Sequence, residues 1–201
     1  PALYSVLAEK GYFNKEQLMS LRKIGGLLQG HPDSKHINGI DVSTGSLGQG
    51  ISNAVGMSLG LKMLEKKSKV YVLLGDGELQ EGLVWEAAMA AGHYKLNNLI
   101  AIIDNNGLQI DGKNEEVITI NPIDKKFESF GWNVISCNDG NDFESINKAF
   151  LEAEKCIDKP IVIIAKTIKG KGVSFMENKV EWHGAAPNEE EKNRAIEEIL
   201  A

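Results

Sequence analysis

The chain has 201 residues, a formal net charge of −6, 42% hydrophobic and 25% charged residues. These values match ordinary globular domains and exclude disordered, collagen-like and disulfide-scaffold chains. The negative balance argues against nucleic acid as the main partner, since phosphate recognition needs a basic surface. Cys137 and Cys156 form neither a framework nor a CxxC pair, which fits a reducing compartment. There is no signal-peptide pattern and no apolar run long enough to span a bilayer, so a cytoplasmic protein without a membrane partner is expected. The length suits one domain over residues 1–201.

Leu3 and Leu7 give residues 2–9 a helical spacing, closed by Gly11. Asn14 reads as the N-cap of a helix over residues 15–24, with Gly25-Gly26 as its stop. Residues 29–46, rich in Gly, Pro, Asp, Asn and Ser, predict a long loop, and such loops are usually functional or disordered. From Leu47 to Leu64, Ile51, Ala54, Val55, Met57, Leu59 and Leu61 predict a buried helix, with Gly56 and Gly60 allowing close packing. The basic stretch at residues 65–69 reads as its solvated end, where cations suit the helix dipole.

Val70-Tyr71-Val72-Leu73-Leu74 is a continuous apolar run, the pattern of a parallel strand covered on both faces. Residues 83–94 predict a helix and residues 99–103 a second buried strand. Two further strands fall at residues 132–137 and 161–165, separated by a helix over residues 142–157. This alternation predicts an α/β fold, a mostly parallel sheet flanked by helices. No internal repeat or low-complexity linker divides the chain.

In open α/β sheets, ligands bind beyond the carboxyl ends of the strands. Two such ends are polar: Gly75-Asp76-Gly77 and Asp104-Asn105-Asn106-Gly107. An Asp and an Asn from adjacent strand ends offer oxygen ligands to a hard divalent cation, whose shell phosphate oxygens commonly complete. Glycines beside Asp76 let backbone N–H groups approach those phosphates. Either segment alone reads as an ordinary turn. The interval between them, however, holds one helix and one strand, enough for a single crossover.

The pairing of Gly-Asp-Gly with the later Asn-Asn resembles the thiamine diphosphate motif. Gly30-His31-Pro32 and Ser43-Thr44-Gly45-Ser46-Leu47-Gly48-Gln49-Gly50 resemble the Gly-His-Pro and Thr-Thr-Gly-Pro-Leu-Gly-Gln-Gly segments of transketolases. Gly75-Asp76-Gly77-Glu78-Leu79-Gln80-Glu81-Gly82 and Trp182-His183-Gly184-Ala185 continue the likeness in the same order. The chain is similar to the N-terminal, diphosphate-binding subunit of a split two-subunit transketolase.

The resemblance implies a thiamine diphosphate-binding fold and reversible transfer of a two-carbon ketol unit from a ketose phosphate to an aldose phosphate, as in the non-oxidative pentose phosphate pathway. It implies thiamine diphosphate and Mg²⁺ (or Ca²⁺) as cofactors. Asp76 and Asn106 match side-chain ligands of that metal, and Leu108 matches a position that ligates through its backbone carbonyl. Gly77, with Gly75 beside it, matches a backbone donor to the diphosphate. Gly45 and Leu47 match backbone contacts to the aminopyrimidine, and Ile110 an apolar contact near the thiazolium. Glu81 matches an interface glutamate of a proton-relay cluster. His31 matches a substrate-contacting histidine, and His183 one that touches both diphosphate and substrate. Imidazoles of near-neutral pKa can shuttle protons from sugar hydroxyls. His36 and His93 lie outside any motif and read as surface or packing residues, and Trp85 reads as core. Lys169 and Lys171 read equally as phosphate contacts or as a solvated loop.

Three departures stand out. Ser46 replaces the common Pro, and Glu78 stands where many relatives carry a small or neutral residue, so its charge is expected to point away from the diphosphate. Pro1 falls beyond an upstream Ser-Lys-Gly-His segment of the family, so a truncated start is expected. The family's activating glutamate and sugar-phosphate arginines belong to the following domain. That implies a C-terminal transketolase subunit with the pyrimidine-binding domain as partner, an α2β2 heterotetramer, and sugar phosphates as substrates. Two alternatives stay open: an E1 α subunit of a 2-oxoacid dehydrogenase, which shares the metal motif, and a non-catalytic thiamine diphosphate-binding module. A dinucleotide or P-loop reading is poor, because no Walker pattern exists and the glycines lack the dinucleotide spacing.

Overall fold

Strands without polar–apolar alternation suit a sheet covered by helices on both faces, and the two central strands of this chain are built that way. The computed structural model describes residues 1–201. In chain order it holds α1 (Ala2–Glu9), a 3₁₀ turn (Lys15–Ser20), α2 (Gln49–Met63), β1 (Val70–Gly75), α3 (Gly82–His93) and β2 (Leu99–Asn105). A short hairpin of β3 (Leu108–Gln109) and β4 (Gly112–Lys113) follows, then α4 (Asn114–Val117), α5 (Ile123–Ser129) and β5 (Asn133–Cys137). The chain ends with α6 (Phe143–Ala153), β6 (Ile161–Lys166) and α7 (Glu189–Leu200).

The four long strands form one parallel sheet in the order β1-β2-β6-β5. After β2 the chain runs to the far edge as β5 and returns to insert β6 between them. The carboxyl ends of β1, β2 and β6 therefore lie side by side, with Gly75 opposite Asp104 and Asn105 opposite Lys166. A core of 20 buried residues fills the space between the sheet and α2, α3 and α5. A smaller cluster, including Ala149 and Ala153 of α6, covers β5 and β6 on the other face. Each fully buried aliphatic side chain contributes about 1.5–3 kcal/mol by leaving water. Trp85 belongs with the core as expected: it packs on Phe127, and its Nε1 donates to the Leu79 carbonyl at 2.8 Å.

Several local expectations change. β1 is an edge strand covered on one face only, since α6 lies against β5 and β6; Tyr71 and Leu73 are exposed. Gly56 and Gly60 face open space, and the close approach is made instead at Gly92, where an added Cβ would strike the Phe130 carbonyl at 1.8 Å. The helix predicted over residues 15–24 is a 3₁₀ turn ending at Ser20, and Asn14 makes no side-chain cap. Arg22 takes φ 56°, and its N–H donates to Leu28, whose side chain is buried with Tyr4, Leu7, Ile37 and Ile40. That small satellite core pulls the chain out of the helix. α6 runs from Phe143 to Ala153 rather than to residue 157, with Asp142 as its N-cap accepting the Ser145 N–H. The hairpin, α5 and α7 were not legible. α7 buries none of its residues and rests on an Asn188–Glu191 capping box. No helix is long and apolar enough to cross a membrane.

Candidate functional site at the strand ends

Asp76 follows the last residue of β1 and opens the 3₁₀ turn Gly77–Gln80. It is 1% exposed. Its Oδ1 accepts the Gly77 N–H at 2.7 Å and its Oδ2 accepts the Gly107 N–H at 2.5 Å. Burial pushes its pKa up. The Gly107, Asn114 and Gly77 donors oppose that shift, while the nearby Asp104 charge adds to it. No Lys or Arg pairs with it. A buried carboxylate without a cationic partner is costly, and a divalent cation would remove that cost. Beside it Asn114 is 3% exposed, and both its amide atoms lack a hydrogen bond of normal geometry. Gly77 is closely approached, since an added Cβ would meet Gln109 at 3.1 Å.

Asn106 is held in one orientation. Its Nδ2 donates to Asp104 Oδ1 at 3.2 Å, while its Oδ1 accepts the Leu108 N–H at 2.9 Å. Asp104 Oδ1 also accepts the Thr167 hydroxyl from the end of β6. The ends of β2 and β6 thus fix one amide, β2 directly through Asp104 and β6 through Thr167 on that carboxylate. The donor set of Asp76, Asn106 and a main-chain carbonyl at Leu108 is all oxygen, which suits Mg²⁺ or Ca²⁺. These residues therefore fit the metal that the motif implies.

The loop of residues 29–48 brings a second group alongside. An added Cβ on Gly45, whose φ is 143°, would strike the His31 ring at 2.6 Å, so the two predicted site residues touch. Asp33 braces this loop: it accepts from Lys35 N–H at 2.9 Å and Ser43 Oγ at 3.2 Å, and contacts His36 at 2.6 Å. Glu78 is not turned into solvent. Its carboxylate accepts from Gly48 N–H at 2.8 Å and Gly75 N–H at 3.2 Å. Glu81, exposed at the start of α3, lies against Gly48. Leu47 and Ile110 are 57% and 68% exposed, and His31 is exposed, so the chain itself leaves all three uncovered.

His183 ends a 3₁₀ turn, Val180–His183, that packs against β3 and so reaches the Leu108 segment. Its Nδ1 is 3.4 Å from Lys169 Nζ. Burial lowers its pKa, and the Lys169 charge lowers it further. The neutral imidazole is thereby favoured. An open cavity of about 410 Å³ beside this turn is lined by Phe175, Trp182 and Arg194 and does not include Asp76 or Asn106.

Sequence reasoning passed over Asp104, Thr167 and Asn114. Asp104 could have been found as the carboxylate heading Asn-Asn, but Thr167 reaches it only through the β2–β6 pairing.

Fold and site together define a parallel α/β domain whose strand ends form an anionic, oxygen-lined cradle beside glycine-rich turns. The family model for the transketolase thiamine diphosphate-binding domain matches residues 2–199, and the chain belongs to that family. It is similar to one subunit of the apulose-4-phosphate transketolase of Phocaeicola vulgatus, 43% identical over 198 residues, covering 98% of this chain and 70% of the relative. One of the subunits of a 6-deoxy-6-sulfo-D-fructose transketolase of Clostridium sp. is 45% identical, with 99% and 72% covered. The solved transketolase of Campylobacter jejuni superposes with a TM-score of 0.92 at 38% identity, covering 98% of this chain and 32% of that one. The chain thus spans about a third of the full-length transketolase. Its relatives are enzymes of ketol transfer, and those named as subunits imply a partner chain.

Proposed function

We propose that this chain, a single domain over residues 1–201, is the diphosphate-binding subunit of a two-subunit transketolase. It works with a C-terminal subunit carrying the pyrimidine-binding domain, in an α2β2 assembly. The observation that carries this reading is the buried Asp76 carboxylate, without a cationic partner, near an Asn106 amide fixed by Asp104 and the Leu108 N–H. Thiamine diphosphate, when bound, supplies the carbon chemistry of two-carbon ketol transfer.

The chain's own residues hold and orient. Asp76, Asn106 and the Leu108 carbonyl ligate Mg²⁺ (or Ca²⁺), and the turn at Gly75 and Gly77 lies beside the diphosphate, its two N–H groups held here by Glu78 and Asp76. Gly45 and Leu47 offer backbone contacts to the aminopyrimidine, with Ile110 packing near the thiazolium. His31 and His183 face sugar hydroxyls, and the neutral His183 can accept a proton from one. Glu81 belongs to a relay at the partner interface. A cytoplasmic location goes with two unpaired cysteines.

The donor is a phosphorylated ketose, as in the pentose phosphate pathway. Because two relatives are named for an apulose phosphate and a sulfofructose, the test uses both a ketose phosphate and a sulfo-ketose as donors. Ketol transfer to an aldose phosphate by the reconstituted pair is expected. Calorimetry of the pair with thiamine diphosphate should show Mg²⁺-dependent binding that Asp76→Ala abolishes without unfolding the domain. Unchanged affinity in that variant would reject the site.

A further inference from the structure

We propose that Glu78 is a positioning residue that sets the spacing between the two halves of the cofactor site. The role rests on the transketolase reading above. Glu78 lies two residues after Asp76, on the turn that leads out of β1. One carboxylate oxygen accepts the Gly48 N–H at 2.8 Å and the other accepts the Gly75 N–H at 3.2 Å. Gly48 ends the segment that contains Gly45 and Leu47, and Gly75 begins the segment that contains Asp76 and Gly77. A single side chain therefore ties the aminopyrimidine side of the site to its diphosphate side.

Three features make this a tie rather than a chance contact. Gly48 is buried and precedes α2 with φ 78°, so the carboxylate sits at the amino end of a 15-residue helix, where the dipole favours an anion. Hydrogen bonds to an ionised acceptor are shorter and stronger than neutral ones. Glu81 closes on Gly48 as well, leaving 3.2 Å for a Cβ, so the segment has little room to shift. The two N–H groups also occupy the carboxylate, which answers how an acidic residue is tolerated next to a diphosphate cradle.

The chemistry separates positioning from simple helix capping. Inorganic pyrophosphate with Mg²⁺ engages only the strand-end half, whereas thiamine diphosphate needs both halves at one spacing. In the chain assembled with its partner, Glu78→Ala should weaken thiamine diphosphate binding by about tenfold, the scale of lost second-layer support. Pyrophosphate affinity should stay within about twofold of the unmodified complex. Glu78→Gln keeps one acceptor oxygen and should fall between, and it serves if the alanine variant does not fold. Amide hydrogen exchange at Gly48 should accelerate in both variants. Unchanged thiamine diphosphate affinity, an equal loss for both ligands, or unaltered Gly48 exchange would overturn the role. Failure of the unmodified complex to bind thiamine diphosphate would instead overturn the underlying reading and this role with it, and Gly48 exchange would still report whether the tie exists.

Discussion

His183 sits beside a lysine, and that neighbour tunes its chemistry. Burial is the larger cause of its lowered pKa and the Lys169 charge the smaller one. Lys169→Met removes only the second cause. The His183 midpoint, followed through its ring C2 proton by NMR, should therefore rise but remain below the ordinary imidazole value. A midpoint that does not move would mean the Lys169 charge does not reach the ring. The sign for stability follows from linkage: with the folded pKa below the unfolded one, protonation favours the unfolded chain. Stability should fall as pH drops through the ordinary histidine value, and fall less in Lys169→Met. Sequence left Lys169 between phosphate contact and solvated loop, and the structure sets its ammonium 3.4 Å from His183 Nδ1.

At the scale of elements, the loop of residues 29–48 depends on glycine at a defined place. Gly45 has φ 143°, a conformation L side chains rarely adopt, and its missing Cβ makes room for the His31 ring. Such backbone placement costs on the order of 1–3 kcal/mol for a non-glycine residue. Gly45→Ala should leave the sheet intact by circular dichroism while weakening thiamine diphosphate binding by roughly tenfold or more, within that energy range. Retention of full affinity would show that His31 and Gly45 can separate without harm to the site. The loop was legible because its composition admits no helix or strand, and β1, β2 and β6 because their apolar runs are unbroken. Asp76 and Asn106 were legible because their types and order match one motif. Thr167 was not, because its partner Asp104 comes within reach only after β6 inserts between β2 and β5. Nor was the direction of Glu78, which depends on α2 arriving at the end of β1. Local pattern also misjudged residues 15–24, where burial of Leu28 overrode helical spacing, and α7, whose helicity rests on capping rather than on a buried face.

For the whole molecule, the decisive feature is what the chain itself does not supply. Leu47, Ile110, His31 and Glu81 are all exposed. The nearby carboxylates are already committed: Asp76 to the Gly77 and Gly107 amides, Glu78 to Gly48 and Gly75. Glu81 lies against Gly48 and by resemblance serves the interface. Asp76 and Glu78 are therefore not free to act on an aminopyrimidine resting against Gly45 and Leu47, and the resemblance gives Glu81 a different role. The resemblance assigns the activating glutamate to the pyrimidine-binding domain, which the proposed two-subunit reading places on the partner. General acid–base assistance is worth about 10²–10⁴ in rate, and loss of the second wall also removes positioning. The chain alone should therefore hold the diphosphate weakly and catalyse no ketol transfer above background. Added partner should restore activity with a dependence on both subunit concentrations, as expected for sites built across an interface. The direct measurement is exchange of the C2 proton of thiamine diphosphate by NMR, with the chain alone and with the partner present. Exchange near the solution rate in the first case and strong acceleration in the second is expected. Fast exchange with the chain alone would mean that it supplies its own activating carboxylate, and the two-subunit reading would fail.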